Sequence, residues 1–248
     1  MKLRNTLATV SFVAVSVLST RAAAFGPADY VYVPAVAYGE REIDFKAGTR
    51  QFSDEPRESA ASLGFGYGLT QFWFTELYVK YKRENGNGSA FDAFEFENKF
   101  QLTQPGQYPV DVGFIVELER PQLRSEGYEL KVGPLFQTEL GRTQINANLL
   151  LQRNYRAEQS AGLQLGYQWQ AKYRWRQAFE FGAQGFGDVG RLSHFAHRDE
   201  QTHLLGPAVF GKFLLGGRNA ITYNAAFLFD AGDAKHSKTF RTQVEYEF

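Results

Sequence analysis

From about Tyr30 to its end the chain alternates apolar and polar side chains in segments of about ten residues separated by turn signals. That period of two belongs to strands with one apolar and one polar face. The last segment, Ser237 to Phe248, shows it most clearly. Phe240, Thr242, Val244, Tyr246 and Phe248 share one face, and Arg241, Gln243, Glu245 and Glu247 share the other. Upstream the same pattern predicts strands over 31–49, 60–69, 73–83, 90–102, 109–120, 128–140, 143–154, 161–173, 178–189, 202–213 and 220–229. In the first of these, Pro34 and Arg41 interrupt the alternation. In the second, Gly64, Gly66 and Gly68 occupy the polar face, leaving space or letting a neighbouring large side chain lie across them. Asn85-Gly86-Asn87-Gly88 is a hairpin turn. With Asn87-Gly88 as its two central residues, Lys80 faces Glu95 and Glu76 faces Lys99, both favourable cross-strand pairs. Asn98 is the one polar residue on its apolar row, and nothing in the pattern explains it.

Composition narrows the setting. Met1 to Thr6 carries Lys2 and Arg4, Leu7 to Leu18 is an uncharged, mostly apolar run, and Ala22-Ala23-Ala24 offers small residues for cleavage. The expectation is a secretory leader over 1–24 and one domain over 25–248. The apolar run is too short to span roughly 30 Å of hydrocarbon as a helix, and no second long apolar run follows. Cysteine is absent and Met1 is the only methionine, which excludes disulfides and thiolate or thioether ligands from the domain. Net formal charge is zero and no basic block suggests nucleic acid. Aromatics make up 16% of the residues.

The terminal strand ends on a bare aromatic, Phe248, with Tyr246 two residues before it. In this it resembles the closing strand of Gram-negative outer-membrane β-barrel proteins. The resemblance implies an outer-membrane location, lipid as the surroundings, and Tyr246 and Phe248 as the signal read by the barrel assembly machinery. The expected fold is therefore all-β, a single transmembrane up-and-down antiparallel β-barrel of about 12 strands with both ends on the periplasmic side. Counting alternate connections places Trp73, Tyr108, Tyr173, Trp175 and Tyr246 at one membrane boundary and Tyr81, Tyr128, Tyr155 and Phe229 at the other.

The polar faces then line a lumen. Its candidate lining residues are Glu76, Lys80, Glu95, Glu97, Lys99, Asp111, Glu117, Glu119, Glu129 and Lys131, an acidic sector, followed by an amide wall over 144–170. The carboxylates suit either a cation-selective lining or a filled interior of salt bridges. A barrel of twelve strands lies between sizes that close on packed side chains and sizes that leave a channel. His194, His197, Asp199 and His203 suit zinc by residue type, but loose spacing in a polar loop favours a solvated loop. Ser193, Ser237, His203 and His236 are the material for a lipid-acting enzyme, with no motif tying them together. No catalytic residue, metal or cofactor is assigned. The expected function is a small porin-like channel for small polar or cationic solutes. A closed structural or adhesion barrel and an outer-membrane lipid-acting enzyme are the alternatives, and the glycine row of the second strand favours the open form.

Overall fold

The computed structural model describes residues 25–53, 56–84, 88–159, 162–232 and 237–248. The expected leader, the residues Asn85-Gly86-Asn87 and His236 lie outside them. Twelve long strands form the wall: β1 (Arg41–Gln51), β2 (Glu58–Gly68), β3 (Trp73–Glu84), β4 (Ala90–Gln101), β5 (Asp111–Pro121), β6 (Tyr128–Leu140), β7 (Thr143–Tyr155), β8 (Gln164–Arg176), β9 (Phe179–Arg191), β11 (Thr202–Gly216), β12 (Asn219–Asp230) and β13 (Lys238–Glu247). A two-residue strand, β10 (His194–Phe195), folds back on the end of β9. Every long strand pairs antiparallel with its neighbours, and β13 closes the ring on β1 from Glu42↔Glu247 to Gln51↔Lys238. The barrel has no free edge, which removes the exposed ladder groups that an open sheet would present to lipid.

The alternation sorts as the pattern requires. Phe45, Leu63, Phe65, Leu77, Phe94, Phe96, Leu118, Leu149, Phe181, Leu205, Phe227 and Val244 are all exposed on the outer surface. An apolar girdle carried by strand after strand is far larger than the patches soluble proteins tolerate, and it makes this a membrane-spanning barrel. The two mouths differ. The one containing Phe248 has two-residue turns at 141–142, 177–178 and 217–218 besides the connections 69–72 and 102–110, whereas the other has no two-residue turn among the described residues and carries 122–127, 156–163 and 192–201. Aromatic pairs mark both. Trp73 with Phe100, Trp175 with Phe179 and Tyr246 with Phe248 lie toward the short-turn mouth, and Tyr81 with Phe91 and the cross-strand pair Tyr128↔Tyr155 toward the long-loop mouth. Asn98 belongs to the first group, since its Oδ1 accepts from Trp73 Nε1 at 2.9 Å and from Thr75 Oγ1 at 3.1 Å. This pairing holds the indole at the boundary and accounts for a polar residue on the lipid side.

Three expectations are corrected. β1 begins at Arg41, and residues 31–37 leave the wall and cross the lumen. The reason is visible in 30–37, where every residue is Tyr, Val, Pro or Ala, so neither parity carries a charged or amide side chain and the segment has no polar face to turn inward. The β3–β4 register is shifted by two residues: Glu76 lies opposite Glu97, Phe74 opposite Lys99 and Lys80 opposite Ala93, with a bulge at Lys80/Tyr81. The Lys80–Glu95 ion pair forms all the same, diagonally, at 2.7 Å. Finally, of the two readings of the glycine row the open space is absent, and large side chains lie across it as the other reading allows. A Cβ at Gly64 would strike the Tyr78 ring, one at Gly66 the Phe74 ring, and one at Gly68 the Ala37 carbonyl.

Leu149 sits halfway along β7 and is 51% exposed, whereas Leu140 adjoins the 141–142 turn. Leu149→Arg is expected to destabilise the barrel by roughly 2–4 kcal/mol and Leu140→Arg by about 0–1 kcal/mol. Denaturant unfolding in lipid vesicles measures both, and equal costs would contradict the assigned membrane depth.

Candidate functional site

The amino-terminal segment 25–40 crosses the lumen without joining any ladder. Its start lies near the long-loop mouth, where Arg50 Nη2 donates to the Phe25 carbonyl at 3.1 Å and Phe25 packs edge-on against Phe186. It leaves at the short-turn mouth, where Gly39 N donates to the Gly68 carbonyl at 2.9 Å. Phe25, the first described residue, and Phe248 therefore lie toward opposite mouths, so a domain that starts at Phe25 does not have both ends on one side as expected. Between these points wall side chains hold the segment's backbone. Gln168 Oε1 accepts from Tyr32 N at 2.6 Å, Asn148 Nδ2 donates to the Tyr32 carbonyl at 2.9 Å, and Gln101 Oε1 accepts from Val36 N at 2.8 Å. Glycines in the wall admit it: a Cβ at Gly48 would meet the Pro27 carbonyl, one at Gly113 would meet Pro34, and one at Gly166 would meet the Phe25 ring.

On one side the segment faces the acidic sector. Glu95↔Glu119 and Glu97↔Glu117 are directly opposite across β4 and β5, and Glu119↔Glu129 across β5 and β6. Like charges so placed repel, and donors from three sources offset this. Lys80 bridges Glu95 and Glu119, and Lys131 Nζ reaches Glu117 Oε1 at 2.8 Å. The segment supplies the rest. The Tyr30 hydroxyl lies 2.7 and 2.8 Å from the two oxygens of Glu97, and the Tyr32 hydroxyl donates to Glu117 Oε2 at 2.6 Å. Lys46 Nζ is held between the Tyr30 and Tyr78 rings, 3.4 and 3.6 Å from their centroids, and 3.3 Å from Asp44 Oδ2.

On the other side the wall is apolar. Phe186 from β9, Leu204, Ala208 and Phe210 from β11, and Ala226 and Leu228 from β12 point inward and cluster with Phe25, Val31 and Tyr32 of the segment and with Ile115, Leu135 and Leu150. Burying each of the segment's three large side chains contributes roughly 1.5–3 kcal/mol. A cost of the same order opposes it. Arg241 is 2% exposed, its guanidinium lies 4.6 Å from the Phe186 ring, and its three nitrogens find no hydrogen-bond acceptor among the described residues. Asp44 Oδ1 and Asn148 Oδ1 are unpartnered in the same way. A buried polar group left unpaired costs about 1–3 kcal/mol, and a charged one more.

The segment divides the lumen into two chambers. One, of about 320 Å³, is lined by Lys80, Glu95, Glu117, Glu119, Glu129 and Lys131 with Asp29, Tyr30 and Tyr32 of the segment. The other, of about 520 Å³, opens beside Glu40, Glu42, Glu76, Lys99, Glu245 and Glu247. Of the ten residues expected in the lumen, Glu97 is sealed under Tyr30 rather than facing either chamber, and Asp111 accepts from Gly106 N at 2.8 Å, serving the 103–110 connection. Sequence reasoning passed over Tyr30, Tyr32, Asp44, Lys46 and Arg241, the groups that meet at the centre. The carboxylates of Glu95, Glu117 and Glu119 come within 4.8 Å of one another, but the Lys80 and Lys131 ammonium groups already occupy their oxygens. His203 is engaged on both ring nitrogens, with Tyr167 Oη at 2.8 Å and Gln201 Oε1 at 3.0 Å, so it does not gather with His194 and His197.

No family model matches the chain, and no curated protein does. Solved structures do match. The NanC porin aligns with a TM-score of 0.56 at 9% identity, over 82% of this chain and 98% of that one. An outer-membrane channel from Pseudomonas putida F1 aligns with a TM-score of 0.57 at 9% identity, over 90% of this chain and 98% of that one. The fold is that of an outer-membrane β-barrel, closed by twelve strands.

The Glu117–Lys131 pair is buried on both sides. Glu117→Gln is expected to destabilise the barrel by roughly 3–5 kcal/mol, because it leaves the ammonium group buried without its counter-charge. Adding Lys131→Met should recover most of that loss. Unfolding of the two single variants and the double variant checks this, and additive losses would show that the groups do not act as a pair.

Proposed function

We propose that the protein is an outer-membrane channel passing small polar solutes with a preference for cations. The observation that carries this reading is the charge of the two chambers. Seven carboxylates line the smaller one against five basic groups, and seven line the larger one against four. A surplus of carboxylate at both mouths of a low-dielectric wall gives a negative potential along the path, which concentrates cations and repels anions. The short-turn mouth is assigned to the periplasm, since outer-membrane barrels keep their short turns there. Phe248 at that mouth, stacked on Tyr246 with ring centroids 5.5 Å apart and bonded through its N–H to the Arg41 carbonyl, is assigned as the signal for the assembly machinery. A second reading, a closed structural barrel, is favoured by the segment that crosses the lumen.

Recording from refolded protein in planar bilayers under a salt gradient separates the two. The channel reading expects openings whose reversal potential has the sign of cation preference. Replacing Glu40, Glu42 and Glu245, which form no ion pair among the described residues, with Gln should move that potential toward zero while the barrel stays folded. A refolded wild-type barrel silent at every voltage, or one preferring anions, would contradict it.

A further inference from the structure

We propose that the lumen wall is a binding site for an extended peptide, that residues 25–38 are its occupant in this structure, and that they detach and return as the gate of the channel. This rests on the channel reading and adds what opens it. The wall addresses the segment as a receptor addresses a peptide. Gln101, Asn148, Gln168 and Arg50, from β4, β7, β8 and β1, bond to its backbone. The apolar arc of β9, β11 and β12 takes Phe25 and Val31, and Glu97 and Glu117 take the two phenols. Gly48, Gly113 and Gly166 leave the room that its chain fills. A fit of this detail is a site rather than a loose filling.

Detachment follows from three further features. The segment shares no ladder with the wall, so it leaves without breaking the barrel. It joins the wall through the 37–40 turn at the short-turn mouth, where Gly39 has a φ of +74° and open space around it. That residue has the backbone freedom of a hinge. The bound state also leaves Arg241 unpaired beneath the segment: Arg241 faces Gly48 across β1 and β13, and Pro27 lies over Gly48. Withdrawal of the segment returns that guanidinium to water, so the closed state has a built-in opposing force.

The chain has no cysteine, which makes a tether clean. A Cβ at Gly113 would lie 2.8 Å from Pro34 Cβ and 2.9 Å from the Phe100 carbonyl, so Pro34→Cys with Gly113→Cys can form a disulfide once the segment and the β4 backbone each shift to make room. In full-length protein the oxidised pair should lose its openings in planar bilayers and dithiothreitol should restore them, with either single variant indifferent to oxidant. Openings that persist in the oxidised pair overturn the gate and leave the channel reading intact. A second variant lacking residues 25–38 should conduct continuously. A synthetic peptide of residues 25–38, added from the short-turn side, should block it at concentrations at which a scrambled peptide does not. A wild type silent at every voltage contradicts the channel reading, and beside a conducting deletion it makes the segment a fixed wall, which overturns the inference as well. A wild type that opens while the deletion does not conduct would overturn the inference alone.

Discussion

The structure depends on how a ladder of carboxylates is held together inside a wall that faces lipid on its other side. β4 and β5 place Glu95 against Glu119 and Glu97 against Glu117, pairs that would repel one another wherever water is scarce. The inward neighbours of these pairs on the two strands are Ala93, Lys99 and Ile115, and none of them forms an ion pair or hydrogen bond with the four carboxylates among the described residues. The donors come from β3 and β6 as Lys80 and Lys131, and from the threaded segment as Tyr30 and Tyr32. A phenol suits this role: it donates to a carboxylate without adding charge, and hydrogen bonds to charged groups contribute roughly 1.5–3 kcal/mol. The segment thus satisfies the acidic sector electrostatically, and its position in the lumen follows from the charge pattern of two strands distant in sequence.

The same segment resolves a second conflict. Inward-facing Phe186, Leu204, Phe210 and Leu228 would be exposed to water in an empty pore, and inward-facing Glu97 and Glu117 would be stranded in a pore packed with apolar side chains. A peptide that presents Val31 to one side and two phenols to the other meets both demands at once. Its backbone groups are met by Gln101 and by Asn148 and Gln168, the last two from the amide wall that alternation predicts over 144–170. Those amides are oriented by what they bind.

The wall was largely legible in the sequence and the lumen was not. Strand β6 spans Tyr128–Leu140, as its alternation predicts, because one lipid face and one interior face impose period two regardless of the detail inside. The register of β3 on β4 differs by two residues from the one that charge matching predicts, with Lys80 opposite Ala93 and a bulge at Lys80/Tyr81, so cross-strand charge does not set it. Lys80 reaches Glu95 from the shifted position because a long side chain spans the diagonal. The signal for the threaded segment was present but had been read as strand: 30–37 is apolar on both parities, which a wall strand facing a polar lumen cannot be. The inward apolar residues of β9, β11 and β12 carried the complementary message, that some part of the lumen is dry. Arg241 had no such signal, since on the sequence it is one more polar residue in an alternating row.

Occlusion and charge are therefore separate properties of this lumen. The carboxylate surplus belongs to wall residues such as Glu42, Glu76, Glu119, Glu129 and Glu245, which remain where they are whether or not the segment is present. What the segment changes is the dielectric around them. With it in place, Glu97 is sealed under Tyr30 and Glu117 accepts from Tyr32. With it absent, water would take the place of the two phenols, which carry no charge, so the charge of the wall would be unchanged. Selectivity would then rest on the wall and permeability on the segment, whose way out of the lumen runs through the turn at Gly39.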